Sequence, residues 1–149
     1  MIRLTKIFSF ETAHALFGYN GKCKNIHGHS YKLYVTVIGE PENDPNSSTN
    51  GMIMDFGELK SIVNHQIINI YDHAILLNIH TEHKTLGEKL LTEGHKVIFT
   101  DFQPTCENMV LHFAKVLQKY LPNKVDLIEL KLYETEKSYC EWKKSDQYN

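Results

Sequence analysis

Two stretches of this chain alternate apolar and polar residues regularly enough to predict long strands with one buried face, and both carry histidine at the end of that face. In Ile2 to His14 the even positions read Ile2, Leu4, Lys6, Phe8, Phe10, Thr12 and His14. The second stretch puts His27, His29, Tyr31, Leu33, Val35 and Val37 on one side and Gly28, Ser30, Lys32, Tyr34 and Thr36 on the other. Successive strand side chains point to opposite faces, so a period of two selects sheet over helix. The intervening loop, with Gly18, Asn20 and Gly21, suits an antiparallel reversal. Pairing of that kind brings His14 to His27 and His29.

Three neutral imidazoles with one open position describe a catalytic zinc centre, because structural zinc usually closes its shell with four protein ligands. A lone histidine is more often a hydrogen-bonded core or surface residue, but the paired pattern with a third imidazole favours the metal. Cys23 leaves two alternatives open. It precedes His27 in a loop with Lys22 and Lys24. There it either completes the tetrahedron, giving a scaffold zinc, or stays unligated as a thiolate able to act as base or nucleophile.

Composition sets ordinary limits. At 149 residues the chain is expected to form one domain, residues 1–149, large enough to bury a core. A formal net charge of −2 gives no basic footprint for nucleic acid, and no cationic run suggests a membrane surface. Met1-Ile2-Arg3-Leu4 enters a strand pattern without a signal-peptide apolar block, and no run reaches the roughly 18 apolar residues of a membrane span. Three scattered cysteines fit a reducing compartment, so a cytoplasmic protein is expected, with Cys106 and Cys140 inert.

Further along, Asp55 and Glu58 resemble a capping box, followed by Phe56, Leu59, Ile62, Val63, Ile67 and Ile70 at helical spacing. A second helix starts at Pro104-Thr105, buries Val110, Phe113, Val116, Leu117 and Leu121, and stops at Pro122. Asn78 to Gln103 is weakly patterned, with a short helix around Leu86 to Leu91. From Asp126 the even positions read Ile128, Leu130, Leu132 and Glu134, so a carboxylate continues an apolar face. A buried carboxylate needs a partner, either a lysine or a ligand edge presenting two N–H groups. Glu107 is open to the same question or only complements the helix dipole. Tyr71-Asp72-His73 sets a carboxylate beside an imidazole. His65, His80, His83, His95 and His112 follow no pattern and are expected to be unrelated to the metal.

Together these residues resemble the 6-pyruvoyltetrahydropterin synthase and 6-carboxytetrahydropterin synthase family. The likeness is carried by Phe8-Ser9-Phe10-Glu11-Thr12-Ala13-His14, Cys23-x3-His27-Gly28-His29, Asp55-Phe56, Tyr71-Asp72-His73, Pro104-Thr105-Cys106-Glu107-Asn108 and Tyr133-Glu134-Thr135. Each motif alone is weak, whereas six in this order are specific. The long stretch Asn78 to Gln103 departs from the family and contains none of the matched residues.

The resemblance implies an α+β T-fold (tunnelling fold): an antiparallel four-stranded sheet with two helices on one face, in the order ββααββ. It implies a homo-oligomer, a trimer or a dimer of trimers, with sites between subunits. By the same likeness His14, His27 and His29 bind Zn2+, Cys23 is the catalytic thiol, and Asp72 with His73 forms a proton relay. The likeness further implies that Glu134 anchors the 2-amino and N3 edge of a pterin and joins the relay, while Thr105 and Glu107 help seat the ring. The three-residue interval between Cys23 and His27 resembles the bacterial 6-carboxytetrahydropterin synthases of queuosine biosynthesis. That implies a lyase converting 7,8-dihydroneopterin triphosphate to 6-carboxy-5,6,7,8-tetrahydropterin with loss of acetaldehyde and triphosphate. The alternatives are the 6-pyruvoyl reaction, which eliminates triphosphate only, and a non-enzymatic zinc-stabilised pterin-binding module.

Overall fold

In the computed structural model, which describes residues 1–148, the two alternating stretches are strands β1 (Ile2–His14) and β2 (His27–Gly39). They pair antiparallel along their full lengths, from Ile2 opposite Gly39 to His14 opposite His27. Phe8, Phe10, Thr12 and His14 are buried on β1, as are Tyr31, Leu33, Val35 and Val37 on β2, whereas Ser9, Glu11, Ser30 and Lys32 are exposed. The period-two reading holds from Phe8 to His14 and from Tyr31 to Val35, while Ile2 is exposed and Thr36, on the expected polar face, is buried.

On one flank, β5 (Val125–Thr135) runs antiparallel to β2 and β6 (Ser138–Lys143) antiparallel to β5. A bulge interrupts β5: Thr36 faces Glu129 while Val37 faces Leu127, leaving Ile128 over. One surplus residue exchanges the two faces of a strand. Val125 and Leu127 are therefore buried before the bulge, and Leu130 and Leu132 after it. The expected run of even positions is correct only from Leu130 onward, and Ile128 leaves the core face.

On the other flank the sheet corrects the four-stranded expectation. Ala74–Asn78 forms β3, parallel to β1, and Val97–Thr100 forms β4, parallel to β3. The full sheet has six strands in the order β4-β3-β1-β2-β5-β6 and is mixed. Parallel neighbours need a crossover, which is supplied by a helix over His83–Thr92. Ala74 to Leu77 are all buried, so β3 is a continuous apolar run with no alternation to reveal it.

Three helices cover the sheet. α1 (Phe56–Val63) is capped by Asp55, whose side chain accepts from the Gly57 N–H. Glu58 turns instead to Lys124, 3.7 Å away, so the cap is one-sided. A π turn at Asn64–Ile68 and a last turn at Asn69–Tyr71 prolong α1. The wider turn keeps Leu59, Val63, Ile67 and Tyr71, spaced by four, on one buried face. Consequently Tyr71 enters the core in place of Ile70, which is 39% exposed, and Phe56 lies outside under Lys6.

α2 (His83–Thr92) lies on the opposite face, where Leu86 and Leu90 pack with Ala15, Ile75 and Leu77. Gly87 permits this approach, since a Cβ there would run into the Phe99 ring. α3 (Cys106–Tyr120) shares the face of α1 and buries Met109, Val110, Phe113, Ala114 and Leu117. Thr105 caps it by accepting from the Asn108 N–H at 3.3 Å, and extended Leu121 before Pro122 ends it. None of these helices among the described residues is long and apolar enough to cross a membrane.

Candidate metal centre and its cavity

Strand register builds the centre. His14 faces His27 directly across the β1–β2 ladder, and His29 follows two residues later on the same side. One ring nitrogen from each of the three lies within 4.8 Å of the others. His14 Nδ1 is 2.7 Å from the Pro104 carbonyl oxygen and His27 Nδ1 2.8 Å from that of Asn25. A carbonyl only accepts, so each Nδ1 carries a proton and leaves a lone pair on Nε2. Those two Nε2 atoms stand 3.0 Å apart. Two lone pairs at that distance repel unless a cation lies between them. The Nδ1-to-carbonyl bonds are also the outer contacts that orient metal-bound histidines.

His29 adds a third donor. Its Nε2 is buried without a hydrogen-bond partner, with Glu134 Oε1 3.5 Å away. Burial lowers the pKa of His14 and of His29, while the Glu134 carboxylate opposes the shift. Neutral imidazole is the metal-binding form. Three such donors around an otherwise unsatisfied pocket can hold a metal ion.

Beside this cluster, His14, Cys23, Thr105, Glu107 and Glu134 line one cavity of about 420 Å³. Cys23 sits on a tight turn, Lys22–Lys24, and its sulfur is not among the atoms that close to within 4.8 Å. Glu134 arrives from the even-parity half of β5, with its Oε2 3.4 Å from the Tyr31 hydroxyl. Burial, with Glu134 nearby, holds Tyr31 as a neutral phenol well above its usual range. Thr105 and Glu107 come from the start of α3.

Asp72 and His73 are elsewhere. Asp72 Oδ1 accepts from the Glu11 N–H at 2.8 Å, and Oδ2 lies 2.9 Å from His73 Nδ1. The Glu11 N–H, and after it His73 and Lys96, holds the Asp72 carboxyl below its ordinary range. The His73 side chain is 78% exposed. With Glu11, Ala13, His29, Ser30 and Ile75, His73 lines a second cavity of about 510 Å³ on the α2 side of the sheet. Within one chain, the carboxylate–imidazole pair and Cys23 are not brought together.

Some neighbours of the site were not anticipated. Tyr31 could have been found, because it continues the face of His27 and His29. Cys106 and Cys140, expected to be inert, line the same cavity as Cys23, and burial pushes both thiols up. The Pro104 carbonyl that orients His14 leaves no side-chain signal at all. Among the five discounted histidines, His112 packs on Phe102 and His83 on Phe17.

A family model described as 6-pyruvoyl tetrahydropterin synthase matches residues 3–145. The chain belongs to this family. It is 33% identical over 143 residues to the 6-carboxy-5,6,7,8-tetrahydropterin synthase of Haemophilus influenzae, covering 95% of this chain and 99% of that one. To the enzyme of the same name from Rickettsia bellii it is 30% identical over 144 residues, covering 95% and 99%. Among solved structures, the Caenorhabditis elegans 6-pyruvoyl tetrahydropterin synthase superposes with a TM-score of 0.67 at 25% identity, covering 95% of this chain and 94% of that one. An uncharacterized protein of Wolinella succinogenes gives 0.78 at 18% identity, covering 96% and 98%, a likeness of fold. The T-fold assignment and a lyase-type pterin enzyme follow from family and fold together.

Proposed function

We propose that this enzyme is a zinc-dependent 6-carboxytetrahydropterin synthase, converting 7,8-dihydroneopterin triphosphate to 6-carboxy-5,6,7,8-tetrahydropterin with release of acetaldehyde and triphosphate, as in queuosine biosynthesis. The observation that carries the reading is the cluster of His14, His27 and His29 beside the cavity holding Cys23, Thr105, Glu107 and Glu134. The names of the Haemophilus and Rickettsia relatives favour the 6-carboxy product over the 6-pyruvoyl one.

Zinc on the three imidazoles would supply a Lewis acid for the side-chain hydroxyls of the substrate. Glu134 accepts the 2-amino and N3 donors of the pterin through its two oxygens, an arrangement that fixes the ring plane. Thr105 and Glu107 seat the ring from the start of α3. Cys23, close to the metal ligands but outside their cluster, takes and returns protons on the side chain. Asp72 orients His73, which carries protons to and from that thiol.

Because His73, with Asp72 bonded behind it, lines the cavity away from Cys23, the relay of one site comes from a second copy of the chain. A trimer or a dimer of trimers, with sites between subunits, follows from this reading. The test is incubation of zinc-loaded protein with 7,8-dihydroneopterin triphosphate, with the pterin identified by mass and acetaldehyde assayed. A 6-carboxy product with acetaldehyde is expected. A 6-pyruvoyl product without acetaldehyde would give the alternative, and unchanged substrate would sink both.

A further inference from the structure

Lys96, just before β4, reaches back across 24 residues to the Asp72–His73 pair. Its Nζ donates to the main-chain carbonyl of Asn69 at 2.9 Å and to that of Asp72 at 2.8 Å. These carbonyls lie at the end of the turn Asn69–Tyr71, where helical partners run out and the dipole is negative. A cation there makes charge-assisted bonds and complements the dipole. The Lys96 main chain is itself anchored, because the Ile75 N–H donates to its carbonyl at 3.0 Å.

The peptide so gripped leads directly into His73, whose φ is 57°, the one left-handed non-glycine residue among those described. A side chain is kept in that region only where its surroundings fix it. Three bonds contribute from β1 and from within the pair. The His73 N–H donates to the Glu11 carbonyl at 2.6 Å, the Glu11 N–H donates to Asp72 Oδ1, and Asp72 Oδ2 meets His73 Nδ1. None of these holds the Asp72 carbonyl itself; Lys96 does. The other charged or titratable groups around the pair's cavity are the Glu11 carboxylate, which accepts from Ser30 Oγ at 2.7 Å, His95 and, at its far rim, His29.

We infer that Lys96 is a positioning residue for catalysis: its ammonium locks the Asp72 peptide so that His73 adopts the left-handed backbone and presents its ring outward. The inference rests on the reading of Asp72 and His73 as the proton relay. It gives the segment between β3 and α3 a catalytic part, since α2 and β4 carry Lys96 to this place.

The test uses full-length, zinc-loaded protein with 7,8-dihydroneopterin triphosphate. Lys96→Met is expected to lower kcat about tenfold with less than about a twofold change in KM. It is also expected to move the His73 ring signals in heteronuclear NMR spectra. The acid limb of the kcat profile shifts to higher pH, because Asp72 loses a cation that favours its carboxylate. Lys96→Arg, which retains charge and donors, restores most of kcat. If Lys96→Met does not fold, Lys96→Gln, too short to reach both carbonyls, must give the same losses. Wild-type kcat in the neutral variants overturns the inference, as does a loss with unmoved His73 signals or one that arginine fails to restore. His73→Ala separates the layers: full turnover there removes the relay reading, whereas an inactive His73→Ala beside a wild-type Lys96→Met removes only the role of Lys96.

Discussion

The β1–β2 hairpin and the β3-α2-β4 unit solve the same problem of covering a sheet in opposite ways. In the hairpin burial alternates from Phe8 to His14 and from Tyr31 to Val35, pairing is antiparallel, and the three clustered histidines stand at the end of the buried stripe. In the other unit the strands are short and parallel, β3 is buried from Ala74 to Leu77, and the helix packs on a second, smaller cluster. Chemistry in the hairpin depends on side-chain parity, which a sequence displays. Chemistry around β3 depends on main-chain carbonyls and one long lysine, which it does not.

Four measurements place this contrast at risk. His27→Ala should lose both metal and turnover, because two nitrogens in place of three leave the ion weakly held. Metal content after purification with zinc supplied, read beside turnover, checks it, and a metal-replete variant would contradict the ligand assignment. Cys23→Ala should keep its metal and lose turnover by about 10²–10⁴. Loss of metal together with activity would instead make the sulfur a fourth ligand.

The third measurement compares cores. Leu33→Ala, at a fully buried β2 position, should cost about 2–5 kcal/mol, and Leu86→Ala, half-buried on α2, about 1 kcal/mol. Denaturant midpoints decide it, and equal costs would dissolve the distinction between the two clusters. The smallest effect is that of pH on metal-free protein. His14 and His29 have folded pKa values below 6.5, so the unfolded chain binds protons more readily. Stability from these groups is full above about 6.5 and declines as pH falls from there toward the lowered folded values. A melting temperature that rose on acidification through that window would contradict the burial of these imidazoles.

The strands and helices that define the site were legible wherever a period was intact. Ile2 to His14, His27 to Val37, the Asp55 cap and the Thr105 start all carried their own signals. Asn78 to Gln103 was legible only as a short helix. A buried parallel strand reads as a plain apolar run, and Val97–Thr100 is too short to show a period. Ile70 leaves the expected buried face because a π turn changes the helical period, and nothing in Asn64–Ile68 announces one. Cys23 and Glu134 stand out chemically in the sequence, but their nearness depends on the sheet bringing β5 beside β2.

The surplus residue in β5 works as a phase inverter for everything downstream of it. Deleting Ile128 would only remove the bulge, leaving Leu127 opposite Val37 and Leu130 opposite Val35, whereas deleting Lys131, where the ladder is regular, would turn Leu132 and Glu134 toward solvent and empty the cavity of its carboxylate without touching the three clustered histidines. A change of length in this strand is therefore absorbed at the bulge and not beyond it, and natural or engineered variants of the chain should keep the even spacing from Leu130 to Glu134 even where the residues themselves drift.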